Sequence, residues 1–304
     1  MKLVTFRINE GLRAGVIVDQ YVVDLNKAAA WTNEKESLPT DMTAILTAGT
    51  PALEAIKRVV TSIKKDIENA VTSKIAKPLT DVSLFAPVPR PSKIICVGLN
   101  YKDHAEETGR PLPEYPLLFP KYVNVVNGPN DPIVLPRVSK EVDFEAELAV
   151  VIGRSGRYIS EESALDYVAG YTCINDVSTR DYQFHSPQFG LGKSFDTHGP
   201  MGPWLVTKDE IPNPHTLGIE LKLGDEVMQS SNTKELIFTV EKLISYISEA
   251  ITLEPGDIIA TGTPGGVGLA RDPQRFLQPG EVVTVKIEGI GEIANPVIAE
   301  KDIK

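Results

Sequence analysis

The segment EVDFEAELAVVIG, 141–153, places a carboxylate at every second position. In a strand, alternate side chains share a face, so Glu141, Asp143, Glu145 and Glu147 would line one side. Beyond Glu147 both faces are apolar, as in a buried strand. Acids gathered at the entry to a core repel one another, and a divalent cation relieves that repulsion. Asp176 ends the apolar run GYTCIND and can bring a third oxygen beside Glu145 and Glu147. Three carboxylates without a histidine or cysteine suit a hard ion, Mg²⁺ or Mn²⁺. By spacing alone, a solvated acidic face fits the same pattern.

NYKDHAEETG, 100–109, sets His104 and Glu107 three residues apart, on one face of a helical turn. A carboxylate beside an imidazole orients the ring and stabilises its protonated form, as a general base for water requires. A surface histidine with an incidental acidic neighbour would share that spacing. Asn100 is placed to cap such a helix and Gly109 to end it. Gly98 and Gly109 bracket the segment, so that 100–110 could move as a lid. Lys193 follows an uncharged run from Tyr182 to Gly192, which suits a lysine aimed at an anion or one exposed on a loop. Arg180 and Gln183 lie close to Asp176 in sequence and can offer hydrogen bonds. IIATGTPGGVG, 258–268, reads as a strand and a glycine loop. It lacks the Lys-Ser/Thr ending of a nucleotide phosphate loop. The amides of Gly262 and Thr263, with the Thr263 hydroxyl, could still hold a substrate carboxylate.

These groups need a scaffold, and the rest of the chain reads as one rich in strands. LVTF and AGVIV, joined by the turn-prone 9–11, and then YVVDL form short strands at the start. Apolar residues recurring at helical spacing predict helices over 51–71 and 236–250, the second capped by Asn232 or Thr233. The proline run in FAPVPRPSK divides a small α/β unit, 1–85, from a main domain, 86–304. Strand-like runs dominate from residue 93 onward. Cys96 and Cys173 sit inside apolar runs, as reduced core residues do. The chain of 304 residues carries a net charge of −10, with no basic run, which excludes a nucleic-acid partner. No apolar stretch approaches a membrane span or a signal peptide, so the expected location is cytoplasmic.

GLNYKDHAEE, VDFEAELAVVIG, GYTCINDVSTRDYQ, GKSFDTHGPMGPW and ATGTPGGVG occur in an order that resembles the fumarylacetoacetate hydrolase family, over 93–300. The resemblance implies an α+β, β-rich fold. A mixed β-roll-like catalytic domain would follow a small N-terminal domain, in a homodimer. It implies Glu145, Glu147 and Asp176 as ligands of Mg²⁺ or Mn²⁺, and His104 with Glu107 as the catalytic dyad. Lys193 and Gln183 would contact substrate and transition state, and Thr263 would be the threonine of the carboxylate loop. Asp103 stands where some members place a further metal-linked acid and others do not. The activity implied first is hydrolysis of a carbon–carbon bond in a small anionic β-diketo acid of acylpyruvate type. Water activated by the dyad and an enolate stabilised by the cation would carry it. The alternative is decarboxylation of oxaloacetate or a related β-keto acid, or isomerase, hydratase or lyase chemistry on a 2-keto acid. A non-catalytic binding protein that keeps the fold is the reading from another class.

Overall fold

The computed structural model describes residues 1–9, 11–109 and 111–302. Glu10 of the expected turn, Arg110 of the expected lid and the last two residues lie outside the described residues. A large mixed sheet runs through the molecule. Its main path is Ala76–Pro78, Tyr21–Asp24, Gly11–Val18, Lys2–Ile8, Gly199–Thr207, Val168–Asn175, Ala146–Ile152, Ile258–Ala260, Ile94–Gly98 and Leu117–Lys121. A second sheet has the order Glu226–Asn232, Gly218–Leu223, Val282–Ile287, Gly291–Ala299 and Ile133–Leu135. The result is a β-rich fold with few helices. The strands before residue 85 extend the large sheet, with Lys2 opposite Val206 and Leu3 opposite Leu205.

Two cores flank the large sheet. On one face, Leu148, Val150 and Cys173 pack with Leu221, Val285 and Ile287 of the second sheet and with Leu243 and Ile247. On the other, Ala149, Val151 and Ile174 pack with Met42, Ile45, Ile56 and Ile63. Every residue of Ala146–Ile152 is therefore buried, which explains its apolar run. Each buried Val, Leu or Ile contributes about 1.5–3 kcal/mol. Both cysteines are free and buried. No helix among the described residues is long and apolar enough to cross a membrane.

The helices differ from expectation at their starts. The first long one spans Met42–Lys65, and Asp41 caps it by accepting from the Ala44 N–H at 2.9 Å. Gly49, at φ 64°, breaks it just before Pro51, so the predicted start marks an internal kink. A separate turn, Ile67–Thr72, follows. The helix Val240–Ala250 is capped by Thr239, whose hydroxyl accepts from the Lys242 N–H. Asn232 caps the short turn Thr233–Glu235 instead.

The topology gathers the site at one end of the sheet. Ile94–Gly98 and Ile258–Ala260 run parallel, with Ile94 opposite Ile258, so the segments that follow them leave the same end. Ala146–Ile152 is antiparallel to Ile258–Ala260 and begins there. Val168–Asn175 is antiparallel to Ala146–Ile152 and ends there.

Candidate active site

Glu145, Glu147 and Asp176 converge at that end, all buried, with one oxygen of each within 4.8 Å of the others. Strand register brings them together. Ala146 lies opposite Asn175, and the Asp176 N–H donates to the Glu145 carbonyl at 2.9 Å. The expected strand over 141–153 is not continuous. Val142–Asp143 pairs with Ser178–Thr179, and the chain breaks at 144–145 before Ala146–Ile152 begins. The break turns Asp143 away from Glu145 and Glu147, and Glu141 is exposed. Asp143 instead accepts from the Gly268 and Leu269 amides and from Arg180.

Three buried cations accompany these acids. Lys193 Nζ lies 2.7 Å from Glu145 Oε2 and 2.8 Å from Asp176 Oδ2, so it is not an exposed loop lysine. Lys121 Nζ lies 2.5 Å from Asp176 Oδ1. Arg180 is 2.7 Å from Asp143 Oδ2 and 2.8 Å from Glu145 Oε1, and it donates to Gln183 Oε1 at 2.9 Å. The Arg180 guanidinium lines the cleft, and the hydrogen bonds expected of it from the sequence go to Asp143, Glu145 and Gln183. Gln183 Nε2 is left for the cleft.

These pairings leave Glu147 as the odd member. Among the described residues, its Oε2 accepts only from the Gly262 N–H, at 2.8 Å. Burial, then the Asp176 and Glu145 charges, pushes its carboxyl well above the usual range. Burial also opposes the Glu145 charge, yet Lys193 and Arg180 outweigh it and hold that group at about 2. Burial disfavours the Lys193 charge too, but Asp176 and Glu145 overcome it and keep the amine protonated. Asp143, Glu145 and Asp176 balance Lys121, Arg180 and Lys193, so the formal charge of the cluster is minus one with Glu147 ionised and zero with it protonated, the form its surroundings favour. With Glu147 ionised to receive a cation, the count starts from one negative charge. A divalent cation would turn that into one positive charge. The all-oxygen donor set and the uncompensated Glu147 fit such an ion.

The dyad stands on the helix Lys102–Glu107. His104 Nδ1 is 2.9 Å from Glu107 Oε1, and Glu107 Oε2 accepts from the Gly266 N–H at 2.6 Å. The carboxylate bridges the ring and the glycine loop and leaves Nε2 for the cleft, which His104 lines. Asn100 does not cap this helix. It is buried, and its amide joins the Phe238 backbone and the Thr261 carbonyl. Gly109, at φ 64°, does end the helix, whereas the positive φ at the start belongs to Leu99, not Gly98. Asp103 faces Ser231, which donates at 2.6 Å, and the Gly265 N–H. Asp103 therefore ties the helix down and stands apart from the carboxylate cluster.

The glycine loop serves the protein before any substrate. The Gly262 N–H is held by Glu147, so it is not the free carboxylate donor that the sequence suggested. Gly262 has φ 101°, and a Cβ there would lie 2.8 Å from Asn100 Cβ. Thr263 is 4% exposed and lines the cleft. The cleft, about 290 Å³, has His104, Glu145, Glu147, Gln183 and Lys193 on its polar side, and Val97, Phe119, Phe189 and Leu269 among its apolar walls. Lys121 and Gln229 escaped the sequence reading, and Asp143 was read only as one more acid on the shared strand face. Phe119 and Lys121 alternate on the buried side of Leu117–Lys121, a pattern that could have flagged the lysine. Nothing in EVMQSSN marks Gln229.

The family model for the fumarylacetoacetate hydrolase C-terminal domain matches residues 93–298. A relative from Xenopus laevis, "Oxaloacetate tautomerase fahd2, mitochondrial", is 46% identical over 264 residues, covering 86% of this chain and 80% of its own. Among solved structures, a fumarylacetoacetate hydrolase from psychrophilic Exiguobacterium antarcticum is 35% identical with a TM-score of 0.82, over 99% of this chain and 100% of that one. Maleylpyruvate hydrolase from Sphingobium sp. SYK-6, in complex with manganese(II) and pyruvate, is 32% identical with a TM-score of 0.74, over 98% and 99%.

Proposed function

The chain belongs to the fumarylacetoacetate hydrolase family, and from this we propose that it interconverts the keto and enol forms of a small 2-oxo acid, oxaloacetate being the leading candidate. The observation that carries the reading is that His104, its Nδ1 held by Glu107, keeps Nε2 free toward the cleft among the described residues, placed to carry a proton. Lys193 and Arg180 are locked against carboxylates. Tautomerisation needs one proton moved from carbon to oxygen and neither water nor a leaving group. The relative from Xenopus laevis carries the matching name.

Glu145, Glu147 and Asp176 would hold Mg²⁺ or Mn²⁺, which when bound supplies an electrophile that acidifies the carbon beside a 2-oxo group. His104 Nε2 takes the proton from C3 of the substrate. The C–H electron pair forms the C2–C3 double bond, and the carbonyl pair moves onto the 2-oxo oxygen. Glu107 accepts from Nδ1–H and stabilises the imidazolium during this step. The imidazolium then returns the proton to that oxygen, which completes the enol. Gln183 Nε2 and the Thr263 hydroxyl hold the substrate oxygens, and the apolar walls fix the plane of the carbon chain.

The test follows oxaloacetate with Mn²⁺ present, reading the ultraviolet absorbance of the enol and any pyruvate formed. Faster enol decay without pyruvate supports the proposal, and absence of any acceleration rejects it. His104→Ala should slow the proton transfer about 10²–10⁴-fold. Near-normal turnover would remove His104 from its role. The second reading is carbon–carbon hydrolysis of an acylpyruvate, favoured by the likeness to maleylpyruvate hydrolase. Cleavage of acylpyruvates with no effect on the enol would establish that reading instead.

A further inference from the structure

Gln229 lies in the strand Glu226–Asn232, outside every motif that pointed to the site, and is 1% exposed. Its Oε1 accepts from the Ala146 N–H at 2.9 Å. Its Nε2 donates to the Pro264 carbonyl at 2.8 Å and to Thr263 Oγ1 at 2.8 Å. The two backbone partners fix which way the amide points, because an N–H can only donate and a carbonyl can only accept. Nε2 therefore faces Thr263, and the threonine oxygen must act as acceptor there. A hydroxyl has one proton to give. Among the described residues, the Thr263 hydroxyl donates to no side-chain or backbone acceptor, while Thr263 lines the cleft beside Glu145 and Glu147.

We propose that Gln229 is a positioning residue that turns the Thr263 hydroxyl proton into the cleft, making Thr263 a fixed donor to an anionic substrate oxygen. The amide also ties the start of the acidic strand, at Ala146, to the glycine loop, at Thr263 and Pro264. One side chain thus sets the distance between the cation-holding acids and the hydroxyl that receives the other end of a bound carboxylate. This inference rests on the reading of the cleft as a 2-oxo acid site.

The test is a double-mutant cycle on the full chain loaded with Mn²⁺, using Gln229→Glu and Thr263→Val and reading oxalate affinity by calorimetry. Glutamate still accepts from Ala146, but it presents an acceptor to Thr263 and draws the proton away from the cleft. Each single variant should bind oxalate about 10- to 100-fold more weakly, the range of a hydrogen bond to a charged group. The double variant should bind no more weakly than Thr263→Val, because both changes remove the same bond. Mn²⁺ affinity without oxalate should stay at the wild-type value in Thr263→Val and Gln229→Met, which add no charge, and any loss of turnover should appear in KM and not in kcat. Should Gln229→Glu fail to fold, Gln229→Met takes its place, with a loss that again vanishes in the Thr263→Val background. Wild-type oxalate affinity in the Gln229 variant, or a loss that persists without the threonine hydroxyl, overturns the inference alone. A wild-type protein that binds no oxalate overturns the 2-oxo acid reading together with it.

Discussion

Lys121 shows how a single buried charge sets the balance of the cleft. Its ammonium neutralises one oxygen of Asp176 while Lys193 takes the other. Lys121→Met keeps the length of the side chain and removes the charge, which makes the cluster one unit more negative. Breaking a buried pair this way costs about 3–5 kcal/mol, since the partner is left under-compensated. The variant should therefore melt lower than wild type without added metal. It should recover more of its melting temperature on addition of Mn²⁺ than wild type gains. Equal shifts in the two proteins would show that Lys121 plays no part in the charge balance. At this scale the sequence was legible where local geometry sufficed. Alternation put Glu145 and Glu147 on one side, and an i,i+3 spacing joined His104 to Glu107. Lys121 and Gln229 were not legible, because their partners lie 55 and 34 residues away or more in the chain.

The elements add constraints that no single residue reveals. Gly262 follows the strand Ile258–Ala260 at φ 101°, where an added Cβ would meet Asn100 Cβ at 2.8 Å and the Val97 carbonyl at 3.0 Å. Gly280 has a comparable φ of 91° with nothing in the way. Gly262→Ala should thus lose about 1–3 kcal/mol, through backbone strain and a forced shift of the loop that carries the Glu147 bond. It should also lose most of its activity. Gly280→Ala should show only the backbone penalty and keep its activity, and equal loss in both would deny any special role to the loop's close approach. The same contact explains why Asn100 was misread. A side chain that looked like a helix cap instead pins the glycine loop and the chain near Phe238. The acidic strand was likewise read as continuous, because alternation does not announce a break at 144–145.

Across the whole molecule, the feature least visible in sequence is how the first strands join the large sheet through Gly199–Thr207. The strand types were readable, but pairing across about 200 residues was not. His198 stands immediately before that strand, fully buried, with Nε2–H donating to the Val134 carbonyl and Nδ1 without a partner among the described residues. Burial, reinforced by the Lys121 charge, lowers its imidazole from 6.5 to about 3. The folded state therefore favours the neutral ring. That stabilisation is complete above about pH 6.5 and is lost progressively as the pH falls toward 3. Wild type should lose melting temperature between pH 7 and pH 4 more steeply than His198→Gln, and parallel profiles would exclude His198 as a source of acid sensitivity.

The balance of four acids and three cations also dictates an order of events. Without an ion the cluster is neutral or one charge negative, as Glu147 holds its proton or not, and it offers a dianion no attraction. A divalent ion held by Glu145, Glu147 and Asp176 would displace that proton and leave the cluster one charge positive. Under the proposed function, the acid would then follow the ion into the cleft.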